Sequence, residues 1–257
     1  MPSILARFRA IDEKDKAAVV RKLMQNSTPN FDFFYLAGLS VVMATLGLLA
    51  DSPSIVIGSM LIAPVLYPIL GISLGLVMSN TEVLTRSIVT LTKSVLISLA
   101  LAVIVTLLFG DGFVTSEMVA RLNPSILHFF VAVIAGAAVS FALAQPEWSE
   151  TLPGIAISVA LVPPLAVLGA GIAMLDMTVI SGSFNMLLLN FLGILLAAMV
   201  TFSLMNLHEK QGIAESTIRR EEEKQQKEAE AIAAVVEEEA AKKTPAPDLR
   251  EGDPEKT

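Results

Sequence analysis

The chain reads as an all-α, polytopic helical membrane bundle of about six spans. Three observations carry this: 54% of its 257 residues are hydrophobic against only 17% charged, the charges are segregated, and uncharged runs of about twenty residues recur. Soluble domains carry roughly a quarter of their residues as charges. Here residues 33–205 hold three Lys/Arg (Arg86, Lys93, Arg121) and seven Asp/Glu. Residues 1–32 hold six and four, and residues 206–257 hold nine and fourteen. The net charge of −7 is therefore mostly that of the tail, and no basic patch exists to hold nucleic acid. With no cysteine, disulfides, thiolate nucleophiles and Cys-ligated metals are excluded.

Crossing about 30 Å of hydrocarbon takes roughly twenty apolar residues. The first span is Phe33–Ala50, preceded by the N-cap residues Asn30 and Asp32. The second, Ile55–Met78, is interrupted by Pro64 and Pro68, and the third, Ser87–Phe109, carries Lys93 near its start. Asn123-Pro124 signals the start of the fourth, Ile126–Leu143. The fifth, Gly154–Leu175, is interrupted by Pro163-Pro164, and the sixth, Val179–Met205, contains Asn185 and Asn190. Residues 1–32 read as an amphipathic segment with apolar positions Ile4, Leu5, Phe8, Ile11, Val19 and Leu23, lying on the membrane or on the bundle's inner face, and not as a secretory signal. Residues 206–243 read as a charged, solvated helix whose apolar seam (Ile213, Ile218, Ile232, Val235, Val236) is thin for a coiled coil. Residues 244–257, with three prolines and no aromatic, read as a disordered tail.

Shifting the chain by one hundred residues lays Pro53–Ile72 over Pro153–Ile172 with seven identities, including Pro64/Pro164 and Gly71/Gly171; the third span overlays the sixth with Ser87 on Ser183 and Ser94 on Asn190. The expectation is a 3+3 repeat. Three crossings are an odd number, so the second copy is inverted, and the proline-broken second and fifth segments occupy corresponding places. The first 32 residues, the 79–86 and 144–153 loops and the tail together hold nearly all the Lys and Arg, against Arg121 alone in the opposite loops, which places both termini in the cytoplasm. That parity holds equally if the two proline segments are re-entrant and four helices cross.

The segments ATLGLLADSPSIVIGSMLIAPVLYPILGISLG (Ala44–Gly75) and LPGIAISVALVPPLAVLGAGIA (Leu152–Ala173) resemble the hydrophobic membrane family called domain of unknown function number 389. The resemblance covers roughly residues 33–205 and implies an integral protein of a prokaryotic inner membrane. It implies no activity, substrate or catalytic residue.

Proline inside a span removes one backbone donor and frees the carbonyl a turn earlier, and such backbone is tolerated in hydrocarbon only against protein or a wet cavity. Matched breaks in two repeat units are a pointer to a transporter's site, so Pro64, Pro68, Pro163 and Pro164 are candidate pathway residues; simple kinks are the plainer alternative. Lys93 is either a solute counter-ion or a snorkelling lysine on the face of Arg86, Thr90 and Ile97. Asn190, on one face with Ser183, Ala197 and Thr201, either lines a pathway or packs two helices. Gly71-x-x-x-Gly75 and Gly136-x-x-x-Ser140 are packing motifs, and His128 sits one turn into the fourth span, near the interface. No Asp or Glu lies inside a span, so a carboxylate proton relay is missing. No GxSxG, HExxH, P-loop or GxGxxG occurs, and the chain is read as no enzyme, with no cofactor and no metal. The expected function is a transporter or channel-like protein for a small polar or anionic solute. The alternative is a structural or regulatory membrane subunit whose tail recruits a cytoplasmic partner. The lipid bilayer and further copies of the chain are the other expected partners.

Overall fold

The computed structural model describes residues 11–27, 30–145 and 152–243, and every regular element among them is helical. In chain order these are α1 (Glu13–Ser27), α2 (Phe31–Leu49), α3 (Pro53–Met60), α4 (Leu66–Met78), α5 (Thr81–Phe109), α6 (Ser116–Val119), α7 (Ile126–Ala142), α8 (Leu152–Met174), α9 (Met177–Leu204), a 3-10 turn (Leu207–Lys210) and α10 (Gln211–Lys243). Three of them, α2, α5 and α9, are long and apolar enough to cross a bilayer, so this is a membrane protein. The sequence-read positions Ile4, Leu5 and Phe8, and the tail from residue 244, lie outside the described residues.

The chain divides into two compact units, Met1–Ile218 and Arg219–Thr257. In the first, α9 packs on α7, α8 and α4, while α5 packs on α2, α4 and α8. One end of this bundle gathers the α2–α3 and α8–α9 corners with the α5–α7 connection. There Asp51 accepts from Ser116 Oγ (2.7 Å) and the Glu117 amide (2.8 Å), Thr115 donates to Leu48 O, and Gly182 lies against Leu122. Those bonds, Ser116's first, hold the Asp51 carboxyl below its ordinary range. The other end gathers α1, the α4–α5 corner and the 3-10 turn: Val20, Leu23 and Met24 share one apolar cluster with Leu70, Leu74, Met78, Met205 and Leu207.

Three corners use one device. Gly47, Gly75 and Gly171 each stand in the last turn of a helix, and their carbonyls accept from Ser52 N, Asn80 N and Asp176 N at 2.9, 3.0 and 3.0 Å. The residue before each donor, Asp51, Ser79 or Leu175, has positive φ, which is a Schellman closure. Asn80 and Asp176 then cap the next helix through their side chains, on Val83 N and on Thr178 and Val179 N. Nine residues beyond each glycine the returning helix presses its backbone on the bare Cα. A Cβ would meet Val56 N at 2.9 Å, Leu84 N at 2.9 Å and Ile180 N at 3.0 Å.

The two proline segments differ. The second stops as α3 at Met60 and resumes as α4 at Leu66. In between, Ile62 N reaches back to Ser59 O and Tyr67 N to Pro64 O, while Ser40 Oγ also donates to Ser59 O at 2.7 Å. The fifth is one helix, α8, with Pro163 and Pro164 inside it. Proline's fixed φ is itself helical, so a chain can lose donors and stay helical.

The N-terminal helix α1 lies against the bundle and not apart from it. Ser27 Oγ donates to Tyr67 O at 2.9 Å and Thr90 Oγ1 to Ser27 O at 2.9 Å. Its Glu13 is paired with Lys16 and with Lys210 of the 3-10 turn. The first unit also reaches past the 205/206 boundary read from the sequence: Ala214 and Ile218 at the start of α10 are buried in the same cluster as Leu23. A helix whose first turns pack is not solvated throughout, and composition alone averages that over. In the second unit residues 226–236 of α10 are exposed, Ile232, Val235 and Val236 among them, and Lys224 pairs with Glu228.

Lys16 first, then Lys210, pull the Glu13 pKa from 4.5 down to about 2. A depressed carboxylate stabilises the fold fully above its unfolded pKa, and that contribution is lost as pH falls from 4.5 towards 2. The α1–turn contact is expected to loosen in that window, read as rising protease sensitivity near Lys210. Glu13→Gln should abolish the pH dependence; if the variant titrates like the parent, other carboxylates govern the loss. The effect is small and salt-sensitive because Glu13 is 59% exposed.

Candidate functional site

Where the two proline segments approach each other, α4, α5, α8 and α9 enclose a half-open cavity of about 180 Å³. Its wall is drawn in pairs ninety-six residues apart: Val65 with Leu161, Ile69 with Leu165, Leu91 with Leu187, and Val95 with Phe191. Val162, Phe184 and Leu188 complete it. Every lining side chain is apolar. Phe184 and Leu188 are exposed on the bundle's outer surface, so the cavity opens sideways.

Beside it runs a polar row. Ser87, Ser94 and Ser98 of α5 are buried, and their hydroxyls have no hydrogen-bond partner among the described residues. The spacing i, i+7, i+11 keeps them on one face over about 16 Å, one helical step from the cavity residues Leu91 and Val95. Other buried hydroxyls in the bundle do bond to the carbonyl four residues back: Thr45, Ser73, Thr90, Thr106, Ser183 and Thr201. Ser140 of α7 shares the unpartnered condition. Ser87 also borders a void of about 10 Å³ with Ser27 and Arg86, room for about one water.

The six sequence-derived candidates divide around this site. Pro163 and Pro164 are buried directly beside cavity residues Val162 and Leu165; Pro68 is buried next to Ile69, and Pro64, half-buried, precedes Val65. Asn190 is buried on α9 between the wall residues Leu187 and Phe191. It shares its face with Ser183, Ala197 and Thr201, all buried. Lys93 is exposed; it stands two residues, about 200° of helix, from both Leu91 and Val95, and so faces away from the cavity. Thr90 turns inward to α1, so the face expected to unite Lys93 with Thr90 is split. His128 is a capping residue: its Nδ1 accepts from Ser125 N at 3.2 Å at the start of α7, one residue past the predicted Asn123-Pro124 signal.

Ser98 was not singled out from the sequence, and the cavity expected between the two proline segments was expected to be polar, whereas its wall is apolar. The signal available for the row was serine at i, i+7 and i+11 in an otherwise apolar run. Nothing in composition distinguishes a leucine that lines a void from one that packs.

Residues 60–196 match the protein family described as Domain of unknown function (DUF389), a stretch that contains all six candidates and the whole cavity wall. Over 168 residues, 64% of this chain, the sequence is 29% identical to an uncharacterised protein of Methanocaldococcus jannaschii, and the match covers 51% of that relative. The chain thus spans about half the length of the curated relative it matches. No solved structure matches it.

Proposed function

Because the chain belongs to the DUF389 family, whose name leaves activity open, we propose from its own geometry that it is a transporter or channel-like protein for a small polar solute, working between two inverted three-span halves in a prokaryotic inner membrane. The observation that carries this reading is the row of Ser87, Ser94 and Ser98 hydroxyls, buried on a membrane-length helix and without partners. A hydroxyl left unpaired in an apolar interior is costly. Each of these can turn to its own helix or to a passing solute, and that choice is what a pathway needs.

The inverted repeat has support beyond sequence identity. The cavity wall pairs at an offset of ninety-six, as do the Gly75 and Gly171 corners and Ser87/Ser183. Gly38 faces Leu101 on the α2–α5 crossing as Gly136 faces Ala197 on the α7–α9 crossing. Ser73 meets Leu195 O where Gly169 meets Leu99 O. In this register Pro68, not Pro64, corresponds to Pro164. Sites of transporters with such repeats lie where the halves meet, and the row of Ser94 and Ser98 runs along that seam, beside the apolar cavity and not in it. Six crossings with α3 and α4 counted as one, and both termini in the cytoplasm, agree with the two sets of corners described above. Between the two expected solute classes the geometry favours an uncharged one, since Lys93, the basic residue of this span, is exposed and faces outward.

The native chain has no cysteine, so single thiols test the reading. Ser94→Cys and Ser98→Cys are expected to react with a membrane-impermeant thiol reagent in intact membranes, while Leu96→Cys, on the exposed face, stays unreactive. Equal inertness of all three, with labelling restored on denaturation, sinks the pathway. The alternative role, a subunit that recruits a cytoplasmic partner, is favoured by one observation: Ile232, Val235 and Val236 stand exposed on the otherwise charged α10.

A further inference from the structure

We infer that the cavity between α4, α5, α8 and α9 is a lateral seat for one acyl chain of a bilayer lipid. The inference rests on the reading that these helices lie in hydrocarbon, and not on solute movement. A water needs two to four polar partners, and the wall offers none: residues such as Ile69, Leu91, Leu165 and Phe191 present only carbon. A polar solute is rejected for the same reason. A comparable dry cavity of about 150 Å³, lined by Leu, Ile and Phe in another protein, accepts benzene. At about 180 Å³, this one takes a segment of roughly six acyl carbons by that measure.

The opening selects the occupant. Phe184 and Leu188 belong at once to the cavity wall and to the bundle's exposed surface, which continues along α9 through Leu192 and Leu196. Leu188 is also shared with a shallow groove of about 380 Å³ between α7 and α9, lined by Ile126, Phe129, Asn185, Leu189 and Leu192. An apolar track therefore runs from the starts of α7 and α9 to the cavity mouth. Seated there, the chain touches wall residues of both halves and wedges them apart beside the serine row.

The test uses the full chain in bilayer nanodiscs of phosphatidylcholine brominated midway along its acyl chains, with Trp148, the native tryptophan, replaced by phenylalanine. Leu165 is 2% exposed, so an indole placed there is out of reach of bulk lipid. Leu165→Trp fluorescence is expected to be quenched to the level of the lipid-facing Leu196→Trp, and adding Val95→Phe, which fills the cavity, should restore it. No quenching in Leu165→Trp, as a second copy plugging the mouth would give, overturns the seat. So does quenching that Val95→Phe leaves unchanged. Should Leu165→Trp fail to fold, native mass spectrometry of the unsubstituted chain against Val95→Phe decides: one tightly held phospholipid must be lost, and equal lipid retention overturns the proposal. Neither readout requires transport, so a failed seat leaves the thiol experiment on Ser94 and Ser98 standing, and the reverse.

Discussion

Valine at Gly75 or at Gly171 will cost the bundle about 3 kcal/mol, the upper range for overpacking. Both positions carry a returning helix backbone, and backbone cannot move aside as a side-chain tip can. The first Cβ already sits 2.9 Å from Leu84 N or 3.0 Å from Ile180 N, and valine adds two methyls in a helix where its χ1 is nearly fixed. The expected result is a large drop in the temperature at which detergent-solubilised protein leaves its monodisperse peak. Gly212→Ala is the control: nothing lies within 4 Å of that Cβ, and the change should stay within about 0.5 kcal/mol. If all three variants behave alike, the corners are not the rigid points of the fold.

Leu165→Asp will destabilise by about 3–5 kcal/mol, the scale of an uncompensated buried charge. No lining residue can pair with it. Burial disfavours the charged form, so the loss shrinks as pH falls and the carboxyl protonates. Lys93→Ala, on the exposed face, should change stability by no more than about 0.5 kcal/mol. Denaturant titration in detergent at two pH values measures both. A Leu165→Asp loss under about 1 kcal/mol, with no pH dependence, means that the cavity is wet at rest and that its apolar wall does not exclude water.

Much of the architecture was legible because it follows from local chemistry. Uncharged runs located the long helices, and Asn30 caps α2 as expected, accepting from Phe33 N at 2.9 Å. Gly136 packs on Ile194 and Ala197 as its spacing suggested. The repeat's register was harder. An offset of one hundred aligned Pro64 with Pro164 through isoleucines and leucines, which membrane segments share by chance. The proposed offset of ninety-six rests on corners closed by Ser79 and Leu175, two non-glycine residues at positive φ, a conformation that neither residue type announces. Four residues, about one helical turn, separate the two registers, so both keep the same face inward and sequence patterning cannot choose between them.

The sequence reading singled out the proline segments that border the cavity, but not most of the side chains that line it. Prolines declare themselves; Val65 and Leu161 do not, because lining a void is a relation between helices. Lys93 attracted notice as a lone charge in a span, yet its angular distance from Leu91 and Val95 turns it outward. The buried start of α10 was illegible for a similar reason: Ala214 and Ile218 are sparse apolar residues in a charged stretch, and only their burial in the cluster that holds Leu23 shows that they pack with the bundle.

The pairing of Glu13 with Lys210 has a consequence for biogenesis. The partner of the first helix is nearly two hundred residues downstream of it. Until Met205 and Leu207 leave the ribosome, Leu23, Met24, Leu70 and Leu74 have no complete cover. This end of the nascent bundle therefore stays uncapped while every earlier helix is made, and it is latched only when α9 and the turn behind it have been delivered.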